Sequence, residues 1–263
     1  MPKDTSNLIA DHESWFSRRL ADLLAEDGWL NLTDRIDLTD GRASLGSDAG
    51  NAIVLSTGPS HLGHLVVSPD GSHHLDANAK VHKFIPRTTD GNPMLRHGDL
   101  LLEVMTVEGA PALRVRSLSL PRKSVEIPRY PFDQAWQIEA DWVQLPAAEA
   151  KSIDLIGGYK ATVNVSNRAD FLFDGKPVSL KPTHWKAGKP MFVVRDQTSG
   201  KETYGASRFL IGEVCADKVM LDFNRAHNPP CAFTEFAVCP LPPPENILPF
   251  AIRAGEKLPV YHK

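Results

Sequence analysis

The chain has 263 residues, 42% of them hydrophobic and 23% charged, with 29 Lys and Arg against 32 Asp and Glu for a formal net charge of −3. That balance belongs to a globular chain long enough for one large β domain or two ordinary ones. It excludes a nucleic-acid binder that works by phosphate neutralisation, which needs clustered Lys and Arg.

The first predicted element is a helix over Ser6–Asp27. Leu8, Ile9, Trp15, Phe16, Leu20, Leu23 and Leu24 recur at helical spacing, Ser6 or Asn7 caps the start and Gly28 ends it. Trp15 and Phe16 are expected to dock this helix onto the body. After Gly28 the period changes to two. Ala52–Leu55, His64–Val67, Leu100–Met105 and Leu113–Leu118 read as strands, with turns at Asp40-Gly41, Asp70-Gly71, Asp90-Gly91 and Glu108-Gly109. The nearest approach to a basic run, Arg114-Val-Arg116 followed by Pro121-Arg-Lys123, reads as one solvated strand face.

Leu120–Pro131, with three prolines, reads as a connector, and the chain is divided near residue 125. Beyond it, Trp136–Trp142 alternates with Trp136, Ile138, Ala140 and Trp142 on one face, and Tyr159–Val165 does the same. Phe171–Val178 reads as a hairpin with Asp174-Gly175 at its tip, and Met191–Val194, Arg208–Ile211 and Val219–Phe223 follow as strands. Many short strands with one helix predict an all-β, mainly antiparallel chain. The expected organisation is a helix in residues 1–28, a β-sandwich in 29–124 and a β-barrel or sandwich in 125–263.

No apolar run nears the roughly 20 residues that span a bilayer, so no membrane partner is expected. The start leads into a charged amphipathic stretch and not a secretory signal. Cys215, Cys231 and Cys239, few and odd in number, suit a reducing compartment, so the expected location is the cytoplasm.

The richest stretch is Leu221-Asp-Phe-Asn-Arg-Ala-His-Asn-Pro-Pro-Cys-Ala-Phe233, closed by Cys239-Pro-Leu-Pro-Pro-Pro-Glu-Asn246. Prolines fix their own φ and restrain the residue before, so this region holds its polar side chains on a stiff frame. Together with Tyr204-Gly205, Arg208-Phe209 and Ala254-Gly-Glu-Lys257, these residues resemble a mostly bacterial family known as domain of unknown function 1684. That family more usually carries Tyr at position 227, and the resemblance implies no established activity. In the first half, Ala43–Leu55 and Ser60–Val67 resemble the opening of a forkhead-associated β-sandwich. Such domains read phosphothreonine through an Arg after the first glycine and a Ser-x-x-His stretch. Here Ser47 follows Gly46, so the charge-assisted grip on phosphate is missing.

Asp222 and Glu245 could form a general acid/base pair if the proline-rich return brings them together. Tyr204, Arg208, Asn224, Arg225, His227, Asn228, Asn246, Glu256 and Lys257 would then wall a polar ligand pocket. The leading expectation is small-molecule binding or acid/base processing there, without a cofactor. The alternative is a non-catalytic protein whose Cys-Pro-rich loop braces the fold or docks a partner. Asn, Asp and Arg beside prolines commonly satisfy turn backbone, which would leave no void. A weaker reading gives His227, Cys231 and Cys239 to a metal, and others pair Cys231 with His227 or His184 as a nucleophile, or with Cys239 as a disulfide. His61 and His64, flanking Gly63, are expected at the surface.

Overall fold

Helix α1 spans Thr5–Leu24 in the computed structural model, which describes residues 5–86, 91–107, 109–120 and 124–262. The helix ends three residues before the expected Asp27. Gly28 folds back beneath the last turn, its N–H donating to the Ala25 carbonyl at 2.9 Å. A Cβ at Gly28 would lie 2.4 Å from the Leu23 carbonyl oxygen, so only glycine permits this approach. The chain is otherwise all-β and mainly antiparallel, as the alternation predicts. It separates into two units, residues 22–123 and residues 1–21 with 124–263, so most of α1 groups with the second half. No helix among the described residues is long and apolar enough to cross a membrane.

The unit of residues 22–123 holds β1 (Leu32–Asp37), β2 (Gly41–Gly46), β3 (Ile53–Val54), β4 (Gly63–Val67) and β5 (His73–Ala77). It continues through β6 (Lys80–Lys83), β7 (Ile85–Pro86), β8 (Pro93–His97), β9 (Leu100–Val107) and β10 (Ala110–Ser117). One sheet runs β1-β10-β9-β8-β7 and the other β3-β2-β4-β5-β6, and among the described residues β2 and β3 pair in parallel while the other neighbours are antiparallel. Leu45, Leu65 and Leu75 from one sheet meet Leu102, Leu113 and Val115 from the other in a single core. The expected turns at Asp90-Gly91 and Glu108-Gly109, and the run Pro121–Lys123, fall wholly or partly outside the described residues.

The alternation along β9 and β10 sends Arg114, Arg116 and Glu103 to the face away from that core. The expectation of a solvated basic face is wrong there. Arg114 and Arg116 are 5% and 2% exposed because the chain around Trp29 covers them, with their guanidinium groups 4.9 and 6.0 Å from its ring. Glu103, directly opposite Arg114, supplies the countercharge, 2.7 Å from Arg116 and 3.7 Å from Arg114. Asn92 donates to Glu103 at 2.6 Å, and Arg116 Nε donates to the Gly28 carbonyl at 2.9 Å.

In the other unit, β11 (Ser124–Glu126) pairs with β19 (Val260–His262). The remaining strands are β12 (Gln137–Asp154), β13 (Lys160–Phe173), β14 (Lys176–Leu180), β15 (His184–Lys186), β16 (Lys189–Val194), β17 (Arg208–Cys215) and β18 (Lys218–Asp222). They form one sheet in the order β14-β13-β12-β18-β17-β16-β15. The barrel alternative is not realised. The sheet ends on β14, which carries Pro177, and on the three-residue β15, both poor templates for further pairing. What packs on the sheet is irregular chain: Phe223, Leu248, Ile252 and Ala254 join Leu210, Val219 and Leu221 in the core. Trp136 sits in a one-turn 3-10 helix ahead of β12, stacked on Phe173 at 5.5 Å. β12 outruns its predicted end because Pro146 falls in a bulge between Gln144 and Glu149, where a missing N–H does no harm.

Burial alone pushes the Glu103 carboxyl up, but Arg116, Asn92 and Arg114 together bring it below its ordinary value. A depressed folded-state pKa contributes stability above the unfolded value of about 4.3 and loses it as pH falls through the folded value. Urea midpoints measured across acid pH should fall with pH in wild type and fall less steeply in Glu103→Gln. Glu103→Ala, which strands two buried cations, should cost this unit about 3–5 kcal/mol.

Candidate functional site

The signature stretch begins where β18 ends. Asp222 caps the one-turn helix Phe223–Arg225, accepting from the Asn224 N–H at 3.1 Å. The Asn224 amide then holds both main-chain groups of Asp133, at 3.0 and 2.9 Å, and Gln137 donates to Asp222 at 3.1 Å. Arg225 lies 3.3 Å from Asp222 and reaches Asp11 of α1, with its guanidinium 6.0 Å from the Trp15 ring. The His227 ring sits between Trp15 and Phe209, 6.1 Å from each. Its Nδ1 faces the Arg225 carbonyl at 3.1 Å and therefore donates. Burial pushes its pKa down to about 3, helped by the charge of Arg19. The imidazole is a neutral aromatic filler.

The return of the chain is held as tightly. Glu256 is buried, accepts the Asn228 N–H at 2.7 Å and lies 3.3 Å from Arg19. Burial pushes its carboxyl up against the pull of Arg19. Arg19 donates to the Asn228 carbonyl at 2.9 Å, and the Asn228 amide donates to the Lys257 carbonyl at 2.8 Å. Gly255, at φ +78°, packs so close that a Cβ would fall 2.3 Å from the Ala226 oxygen. The Lys257 ammonium lies 5.2 Å from the Tyr130 ring. Arg208 is 1% exposed and lies 2.6 Å from Asp196; it also donates to the carbonyls of Ile252, at 3.0 Å, and Ala254. Asn246 joins Lys181, N–H and carbonyl alike, to the Val193 carbonyl at 2.8–3.0 Å. Tyr204 donates to the Cys231 carbonyl at 2.9 Å.

The predicted site residues are therefore brought together in part, as a frame of mutual hydrogen bonds and ion pairs, and none of them lines the grooves described below. Asp222 and Glu245 share no partner. Asp222 engages Gln137, Asn224 and Arg225, whereas Glu245 engages Lys151 and Lys181. The acid/base pair is not assembled. The metal reading also fails: His227 points into an aromatic slot, and no three His, Cys, Asp or Glu among the described residues are placed to hold a metal ion.

Open space lies elsewhere in this unit. A groove of about 540 Å³ runs between α1 and residues 126–132, lined by His12, Glu13, Phe16, Pro128, Arg129, Tyr130 and Phe132 among others. His12 is 3% exposed, stacked at 5.8 Å on Trp15 and 5.6 Å from Phe132. Burial, then the charge of Arg129, lowers its pKa, so it is neutral. Arg129 Nη1 stands 3.5 Å from His12 Nε2, which must accept, so the proton sits on Nδ1, an atom with no protein partner among the described residues. Arg129 grips Glu13 through both carboxylate oxygens at 3.0–3.1 Å and lies 3.8 Å from the Phe16 ring centroid. Sequence reasoning missed His12, though it lies four residues after Leu8 on the stripe that leads to Trp15 and Arg19. In the other unit a groove of about 500 Å³ is lined by Arg42, His61, His64, Asp76 and Lys80, and His61 bonds Asn51 at 2.9 Å.

Because Arg208 and Asp196 are buried together, removing either partner should destabilise the fold by about 3–5 kcal/mol. The double variant Asp196→Ala/Arg208→Ala should cost less than the sum of the two single variants. Chemical denaturation of the three variants measures this coupling.

No curated protein matches the chain. The solution NMR structure of an uncharacterized protein from Haloarcula marismortui is similar at 26% identity, covering 50% of this chain and 75% of that one with a TM-score of 0.41. The forkhead-associated likeness of residues 29–124 receives no support from these comparisons. A family described as protein of unknown function DUF1684 matches residues 124–257, the stretch from β11 through Lys257 that carries the braced signature. The chain belongs to the DUF1684 family.

Proposed function

We propose that this protein binds a small molecule in the groove between α1 and residues 126–132, with the signature region as its frame. The observation that carries this reading is the convergence of His12, Glu13, Arg129 and Tyr130 on one groove with aromatic and proline walls. Its volume of about 540 Å³ falls within the roughly 300–1,000 Å³ typical of ligand sites. Phe16, Phe132, Pro128 and Pro131 offer an apolar bed, and the partly exposed Arg129 supplies the donors. That chemistry favours a flat, largely apolar compound bearing a carbonyl or carboxylate. Binding without acid/base turnover fits the separate partners of Asp222 and Glu245.

The non-catalytic bracing role draws support from Asn246, which is buried and gives both ends of its amide to main-chain groups. The two readings are compatible, because a rigid frame is what holds a groove open for recognition. None of the three cysteines is in a disulfide, which suits the cytoplasm as the working compartment.

Titration of isotope-labelled protein with small aromatic carboxylates and amides, followed by NMR, tests the site. Bound compounds should shift the resonances of His12, Arg129 and Phe132. Phe132→Ala and Arg129→Gln should each weaken binding about tenfold, equivalent to about 1.4 kcal/mol, with the fold retained. Shifts confined to the His61 and His64 groove, or none at millimolar compound, would remove the proposal.

A further inference from the structure

Two sulfur atoms lie together in the signature region, outside the groove. Cys231 stands in the one-turn helix Pro230–Ala232, and its N–H donates to Cys239 Sγ at 3.4 Å. The Cys239 side chain is also the largest single influence on the acidity of the Cys231 thiol. Their backbones are fixed from several sides. The Cys231 carbonyl accepts from Tyr204 at 2.9 Å, the next carbonyl, that of Ala232, accepts from Tyr261 at 2.6 Å, and the Cys239 carbonyl accepts from Ile156 at 2.9 Å. Exposure differs between them: Cys231 is partly open to solvent and Cys239 is buried. Cys215, at the end of β17, is exposed.

We propose that Cys231 and Cys239 are a modification site, forming a reversible intramolecular disulfide when a hydroperoxide reaches Cys231. The Cys231 thiolate attacks one peroxide oxygen; the S–O bond forms, the O–O bond breaks, and the departing oxygen takes a proton and leaves as water or an alcohol. Cys239 then attacks the sulfenic sulfur of Cys231. The S–S bond forms, the S–O bond breaks, and hydroxide leaves as water with the Cys239 proton. Two thiols lose two electrons in all, and the peroxide gains them. A thiol reductant reverses the bond by exchange.

Three physical features favour this order of events. The Cys231 thiol is held below its ordinary pKa, first by the hydrogen bond to Cys239 and then by Tyr204, against the opposing effect of burial. A thiolate-prone, accessible sulfur beside a second thiol is the arrangement in which a sulfenic acid is captured before it oxidises further. The second thiol is shielded, so it meets Cys231 sooner than it meets an external oxidant.

The full chain carrying Cys215→Ser, treated with hydrogen peroxide, alkylated and mapped by mass spectrometry with and without dithiothreitol, tests the site. The expected result is a loss of two hydrogens in the intact mass, a peptide linked through Cys231 and Cys239, and recovery of both thiols on reduction. With Cys239→Ser added, oxidation should stop at a sulfenic acid on Cys231 that dimedone traps. With Cys231→Ser added, Cys239 should stay a thiol. The proposal is overturned if no linked peptide forms at peroxide levels that oxidise Cys215 in the wild type, or if Cys231 passes to sulfinic acid with Cys239 still reduced. The linked peptide is read in the Cys215→Ser chain alone, so the outcome stands even where substitution of the buried Cys239 disturbs folding.

Discussion

The buried pair of Arg208 and Asp196 is the interaction on which the signature region depends. Asp196 accepts from the N–H and hydroxyl of Thr198 and from the Ile252 N–H, while Arg208 holds the carbonyls of Ile252 and Ala254. One ion pair thus fixes the chain just after β16, the start of β17 and the final irregular segment. From that anchor the tail runs through Gly255 to Glu256, and Glu256 with Asn228 takes hold of Arg19 in α1. A charge removed from water inside a protein tolerates little displacement, since each ångström weakens the attraction that offsets its desolvation. The order of the region is therefore a chain of constraints, each positioned by the one before.

Three arginines carry that order to α1. Arg19 of the helix reaches outward to Asn228 and Glu256, while Arg129 and Arg225 reach in to Glu13 and Asp11. The first contact is largely buried, whereas Glu13 and Asp11 are more than half exposed, so the outer two are worth little energetically. Their use is directional: Arg129 sits over Phe16 and beside His12, and so sets the floor and one edge of the groove. Polar residues that at first suggest a reaction centre instead hold one helix at a fixed distance from one loop.

Much of the fold was legible because strands declare themselves by alternation. Trp136, Ile138, Ala140 and Trp142 do share the core-facing side, and Asp174-Gly175 does turn the hairpin of β13 and β14, with φ of +48° and +72°. The frame of the site was legible too, since prolines beside Asn and Asp announce rigidity. The partners of its charges were not. Arg114 and Arg116 looked solvated because their countercharge, Glu103, sits on the neighbouring strand and their cover, Trp29, lies before β1. Likewise nothing local to Arg208 points to Asp196, twelve residues earlier and across a turn. A buried polar side chain and an exposed one are the same letter in a sequence; only tertiary contact separates them. His12 escaped notice for that reason, as a polar residue on an otherwise apolar stripe.

The grouping of α1 with residues 124–263 has a consequence for biosynthesis. The helix leaves the ribosome well before Asn228 and Glu256, which receive Arg19 and lie more than two hundred residues further along the chain. A lone helix of this length is marginal in water, so it waits with its apolar stripe uncovered while more than two hundred residues are added. The intervening unit, with its own core, is free to fold during that interval. Closure of the helix onto its seat is a late, long-range event, and a translating chain stalled before residue 228 would present that stripe to any chaperone within reach.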